Sequence, residues 1–106
     1  MTGVELIAAE RKRQIEEEGF TAGHDVIFRN NELAWCACCY AAPANIYKCL
    51  GGPPGVYRFI DPWPDWWDPI WDKRAKHQRI RRLEIAGALI AAEIDRLQDL
   101  LFTDPA

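Results

Sequence analysis

The chain has 106 residues, 49% of them hydrophobic and 27% charged, with a formal net charge of −3. That is one domain's length with apolar content for a thin core, and too much of it for a disordered chain. The acid excess excludes a global attraction to nucleic acid or acidic membranes, so any anion must be met by a local basic patch.

No stretch approaches the roughly 20 apolar residues of a membrane span. The N-terminus "MTGVELIAAERKRQIEEEG" meets charge by its tenth residue and lacks the apolar core of a secretion signal. The expected location is the cytoplasm, that of the host cell if a phage encodes the chain.

The first helix opens on Thr2 and Glu5, a T-x-x-E capping box. Val4, Ile7, Ala8 and Ile15 supply an apolar stripe at helical spacing. Gly19, after the acidic run Glu16, Glu17 and Glu18, is placed to end the helix in a left-handed cap. "GFTAGHDVIFRNN" reads as a loop, and Asn30 or Asn31 as the cap of a second helix, "ELAWCACCYAA". Pro43 should end or kink that helix, with "NIYKCL" continuing as a short helical turn. "GGPPG" at 51–55 is the strongest breaker in the chain.

From there to Trp71 the sequence is aromatic, interrupted by proline and without a clear period. Asp68 and Pro69 read as the cap and first residue of a helix running through "WDKRAKHQRIRR". Downstream, Ile80, Leu83, Gly87, Ile90, Ile94, Leu97 and Leu101 alternate spacings of three and four, a heptad stripe expected to pack in a bundle or a dimer seam. Gly87 costs that helix about 1 kcal/mol against alanine, which close approach of another helix backbone would explain. The expected fold is all-α: a single three-helix domain over 1–106, with a Trp/Pro-rich irregular segment before the last helix. A homo-oligomer is expected from the stripe.

Cys36, Cys38, Cys39 and Cys49 are an even set. Three of them fall in an Ala-rich helical pattern, and no second C-x-x-C or histidine follows at zinc spacing. They read as small buried helix residues rather than as a metal or redox site.

Taken in order, "AAERKRQIEEEGFTAGHD", "NELAWCACCYA", a Trp-Pro segment and "RRLEIAGALIAAEIDRL" resemble a family of small phage and prophage accessory proteins. Its pattern is E-R-x-R-Q…E-G-W…H-D-D…G-E-L…Y-A…W-W-K-P…R-R-x-L-x-K-A-G-A-L-I-x-A-E-I, and the match spans nearly the whole chain. The resemblance implies a phage-encoded protein and carries no activity with it. It falls on Glu10, Arg11, Gln14, Glu18, Gly19, Phe20, His24, Asp25, Glu32, Tyr40, Trp66, Trp67, Arg81, Arg82, Gly87 and Glu93. Here Phe20 replaces a Trp, Val26 an acid, Asp68 a Lys and Ile85 a Lys. The stretch "EGFTAGHD" is also similar to the E-G-W-x-x-G turn of the ryanodine-receptor repeat domain.

Candidate chemistry is sparse. Glu16, Glu17, Glu18, Asp25, Glu32 and Glu93, with His24, are the residues that would suit a hard metal. The E-E-x-x-E and E-x-x-D pair of all-α nucleotide pyrophosphohydrolases of the MazG type is incomplete, because no E-x-x-D occurs. The alternative is that these acids cap helices and pair with nearby arginines. No serine is present and no cysteine has a histidine near it in sequence. No cofactor is expected.

The concentrated feature is "WPDWWDPIW" followed by "DKRAKHQRIRR", four of five tryptophans beside six of thirteen Lys and Arg residues. Either the tryptophans fill the core, or they give a stacking face beside a cationic site for a phosphorylated ring. The ligand-binding candidates are Arg11, Gln14, Phe20, His24, Tyr40, Trp66, Trp67, Trp71, Arg79, Arg81 and Arg82. The resulting expectation is a non-catalytic binding protein that sequesters a nucleotide or a nucleotide-derived defence signal of the host. The alternatives are a divergent metal-dependent nucleotide pyrophosphohydrolase and a protein–protein inhibitor of a host enzyme.

Overall fold

The computed structural model describes residues 1–19, 21, 31–55, 57–64, 67 and 69–103, the last three by backbone alone. They are mostly helical, with α1 at Gly3–Glu18, α2 at Glu32–Ala41 and α3 at Arg79–Thr103. A two-stranded antiparallel hairpin, β1 (Lys48–Leu50) and β2 (Arg58–Ile60), follows α2, and single 3-10 turns at Pro69–Trp71 and Arg74–Lys76 precede α3.

The start and end of α1 follow the sequence. Thr2 and Glu5 exchange hydrogen bonds in a complete capping box, and Gly19 ends the helix at φ 73°. The buried face differs from the expected apolar stripe. Val4 and Ile15 are exposed, while Glu10, Arg11 and Gln14 are buried. Spacings of three and four put those polar residues on one face, and α3 presents Arg81 and Asp95 to receive them. Arg11 pairs with Asp95 at 3.1 Å, and Arg81 pairs with Glu10. The seam between α1 and α3 is therefore largely ionic.

Gly87 lies in that seam. A Cβ built there would stand 2.6 Å from Ile7 Cδ1 and 2.7 Å from Ile7 Cγ1, so glycine makes room for a side chain rather than for a helix backbone. The apolar core forms on the other side of α3. Leu33, Cys36, Ala37 and Tyr40 of α2 pack with Ala86, Leu89 and Ala92 of α3 and with Trp67. Alanines at 86 and 92 are nearly inaccessible and, being small, let α2 pack closely on this face. The bulkier heptad residues consequently face away: Ile80, Leu83, Ile90, Ile94 and Leu97 are 42–69% exposed. They form no bundle core within the chain.

Three further expectations are corrected. Asn31 does stand at the start of α2, but in the left-handed region (φ 61°) and without a side-chain cap bond. "NIYKCL" contributes strand β1, not a helical turn, because the "GGPPG" breaker with Gly55 at φ 84° reverses the chain and pairs Lys48 with Ile60 and Leu50 with Arg58. The hairpin is the departure from an all-α chain. Finally, no continuous helix runs from Pro69 into the basic segment. The Asp72 N–H closes on the Pro69 carbonyl and the Lys76 N–H on the Lys73 carbonyl, giving two separate tight turns, and α3 begins only at Arg79. Asp68 lies outside the described residues. No helix among the described residues is long and apolar enough to cross a membrane.

Candidate functional site

The basic and aromatic residues converge where α2 ends and α3 begins. Tyr40 is the anchor, buried in the last turn of α2. Its hydroxyl accepts the Lys73 N–H at 3.0 Å and donates to the Trp71 carbonyl at 3.5 Å, fixing the two tight turns against the helix. Burial pushes the Tyr40 hydroxyl up to about 12, so it stays a neutral donor and acceptor at ordinary pH.

From Tyr40 an aromatic stack extends outward. Tyr40 and Trp63 have ring centres 6.4 Å apart, Trp63 and Trp67 meet edge to face at 5.8 Å, and Trp67 meets Trp71 edge to face at 5.7 Å. The tryptophans thus divide by role. Trp67 is core, Trp63 is half-buried, and Trp71 is 51% exposed. Trp66 lies outside the described residues, as do Phe20, His24 and Asp25.

The cationic part is built from three arginines. Arg79 Nη1 and Arg82 Nη2 both donate to the Ala42 carbonyl, at 3.0 and 2.9 Å. The last carbonyls of a helix lack partners within it, and α2 has no basic residue in its own last turn. Pro43 follows Ala42 and cannot continue the helix. Two guanidiniums from α3 therefore supply the C-terminal cap. A neutral carbonyl does not cancel their charge. Among the described residues neither arginine has a carboxylate within salt-bridge distance, and the buried Arg82 Nε has no hydrogen-bond partner.

Arg74 is the third cation. Its Nε donates to Asp72 Oδ1 at 2.8 Å, its Nη2 reaches Asp61 Oδ2 at 3.0 Å, and its guanidinium lies 5.6 Å from the Trp63 ring centre. Burial works to raise the Asp72 carboxyl, but the hydrogen bonds from Arg74, with the charges of Arg74 and Arg82, hold it below the ordinary carboxylate value. Between these groups lies an open cavity of about 240 Å³ lined by Asn45, Asp72, Arg74, Ala75 and Arg82. Three guanidiniums stand around it or beside it against two carboxylates, Asp61 and Asp72, so the locale keeps a positive excess.

The other expected residues lie elsewhere. Arg11, Gln14 and Arg81 belong to the ionic seam between α1 and α3. There burial works to raise the Glu10 carboxyl, and hydrogen bonds from Arg13 and Arg81 outweigh it and lower it. The acids proposed for metal are dispersed: Glu18 pairs with Arg13 at 3.1 Å, Glu32 is buried at the start of α2, and Glu93 bonds Arg96 within α3. Among the described residues no three His, Cys, Asp or Glu side chains converge as metal ligands. Cys36 and Cys39 are buried free thiols as expected, but Cys38 is exposed and Cys49 is an exposed strand residue.

Sequence reasoning missed Arg74, Asp61, Asp72 and Asn45. The "DKR" spacing of Asp72 and Arg74 was the available signal, a short-range pair flanking one residue. Asp61 and Asn45 are brought in by the hairpin, which had no signal in the periodicity. Comparison with family models, curated proteins and solved structures finds no match to this chain.

Proposed function

We propose that the protein is a non-catalytic binder of a phosphorylated small molecule of nucleotide type, held at the cavity between the end of α2 and the start of α3. The observation that carries this reading is the convergence of Arg79 and Arg82 on one neutral carbonyl, with a partnerless Arg82 Nε beside an open polar cavity. Guanidiniums present forked donors that match phosphate oxygens, and a cap that leaves their charge intact keeps them oriented in advance. The start of α3 adds main-chain N–H groups with no partner inside the helix, a favourable end for an anion.

A base needs an aromatic face. Trp71, half exposed and one residue before the cavity-lining Asp72, is the residue suited to that role. Asp72 and Asn45 would select among ligands through hydrogen bonds to sugar or base, and Asp72 would repel a phosphate placed directly on it. The resemblance to phage accessory proteins supports phage origin alone; a sponge for a nucleotide-derived host signal is the role we propose on the site, one that needs affinity and no chemistry.

The test is a titration of linear and cyclic nucleotides followed by tryptophan fluorescence and melting temperature. The expected result is quenching and a raised melt for a phosphorylated ligand, weakened by added salt. Arg82→Gln should weaken binding by about 1.5–3 kcal/mol, the range for a lost charge-assisted hydrogen bond. No response to any nucleotide overturns the reading.

A further inference from the structure

We infer that the ligand carries a second phosphate group, held at the rim of the cavity by Lys73 and Lys76, so that the site prefers nucleotides with two or more phosphates to a mononucleotide. The inference rests on the ligand reading above and specifies that ligand. A single tight turn places both lysines. Tyr40 accepts the Lys73 N–H at 3.0 Å, and the Lys73 carbonyl accepts the Lys76 N–H at 3.0 Å. Side chains three apart in such a turn eclipse one another, so the two lysines leave it on the same side. Both are exposed, and they interleave with Asp72, Arg74 and Ala75, which line the cavity.

Size shows that a nucleotide reaches this rim. The cavity holds about 240 Å³, below the roughly 300–1,000 Å³ of sites that enclose a small molecule. It has room for a phosphate and part of its sugar. The rest of the ligand must cross the rim, where Trp71, Lys73 and Lys76 stand exposed.

Charge decides what crosses it. Residues 73–82 hold six Lys and Arg and no acid in a chain of net charge −3, so the rest of the chain stands at −9. Pairing within the chain neutralises only part of this cluster. Arg81 meets Glu10 and Glu84, and Arg74 meets Asp61 and Asp72. Among the described residues Lys73, Lys76, Arg79 and Arg82 have no carboxylate within salt-bridge distance. At the cavity, Arg74, Arg79 and Arg82 against Asp61 and Asp72 leave one positive charge, and the two lysines raise it to three. A phosphomonoester brings about −1.5 to −2 at neutral pH, so one phosphate leaves the site positive and a second closes the balance. His77 stands in the same field. Burial and the charges of Arg81, Lys76 and Lys73 lower its imidazole below the ordinary value, outweighing the opposite pull of Glu10.

The experiment titrates 5′-mono- and triphosphates of the four ribonucleosides, and 5′-phosphorylated dinucleotides, by calorimetry into wild type, Lys73→Gln/Lys76→Gln and Lys73→Arg/Lys76→Arg. At least one ligand with two or more phosphates should bind wild type about tenfold or more tighter than its monophosphate, the gain of one charge-assisted contact. The glutamine pair should bring that ratio close to one and the arginine pair should keep it, both with unchanged helical circular dichroism. His77, followed by nuclear magnetic resonance, should titrate at higher pH in the complex, and more so with the second phosphate present. The tighter of triphosphate and dinucleotide tells whether the two phosphates are consecutive or separated by a nucleoside. Equal binding of mono- and polyphosphorylated ligands, or a ratio that survives Lys73→Gln/Lys76→Gln, would overturn the second phosphate site and leave the cavity reading standing. No binding of any ligand overturns both.

Discussion

Gly87→Ala measures how closely α1 and α3 are packed. Helix propensity alone favours the alanine by about 1 kcal/mol. The added methyl would stand 2.6, 2.7 and 3.1 Å from three atoms of Ile7, so the whole isoleucine side chain must move and not only its tip. Overpacking of this kind costs about 1–3 kcal/mol, which leaves a net destabilisation of about 0–2 kcal/mol. The informative quantity is the coupling. In an Ile7→Ala background the obstacle is gone, and Gly87→Ala should stabilise by about 1 kcal/mol. The double-mutant cycle, read from urea unfolding at one fixed protein concentration, should give an interaction energy of about 1–3 kcal/mol. Gly87→Ala stabilising equally in both backgrounds would refute the close approach.

Stability should fall on acidification, because Glu10 and Asp72 both have carboxyls held below their ordinary values. A lowered folded pKa gives stability that is present above the usual carboxylate range and lost as pH falls through the lowered value. Melting temperature against pH should therefore drop below about pH 4, and Glu10→Gln should flatten that limb while costing about 1–2 kcal/mol at neutral pH, since its partners Arg13 and Arg81 are partly solvated. At the alkaline end the sign reverses. Burial raises Tyr40 to about 12 and Cys39 to about 11, so their contribution is complete below their ordinary values and lost as pH rises toward those figures. Thiol alkylation of the folded protein at mildly alkaline pH should label Cys38 and Cys49 first and Cys36 and Cys39 slowly, all four becoming equivalent in denaturant. Fast labelling of Cys36 would contradict its place in the core.

What could be read in advance was set by local chemistry. Thr2, Glu5 and Gly19 act within one turn of their own backbone, and their roles followed from residue type alone. The span of α3 was legible from its period, but the period did not say which face meets the chain. Alanine at 86 and 92 is nearly silent in an apolar stripe, yet it is where α2 packs on α3, while the conspicuous isoleucines were left outside. The polar face of α1 was illegible for a related reason: Glu10, Arg11 and Gln14 look like solvated residues until Arg81 and Asp95 arrive from far along the chain. At the site, Arg79 and Arg82 were recognisable as a cluster, but their common target, a helix-end carbonyl, and the cavity they border depend on a hairpin and two tight turns that no periodicity marks.

The central claim is that the Arg79–Arg82 pair keeps an uncancelled charge for a phosphorylated ligand, beyond capping α2. Equilibrium dialysis of a nucleotide panel against wild type, Arg79→Gln/Arg82→Gln and Tyr47→Phe, an exposed control, tests it most directly. The account predicts saturable binding of at least one phosphorylated ligand by wild type and by Tyr47→Phe. In Arg79→Gln/Arg82→Gln binding should be lost while far-ultraviolet circular dichroism still reports a folded helix. Equal binding by the folded double variant, or no binding by wild type, would contradict it and leave the two arginines as a helix cap alone.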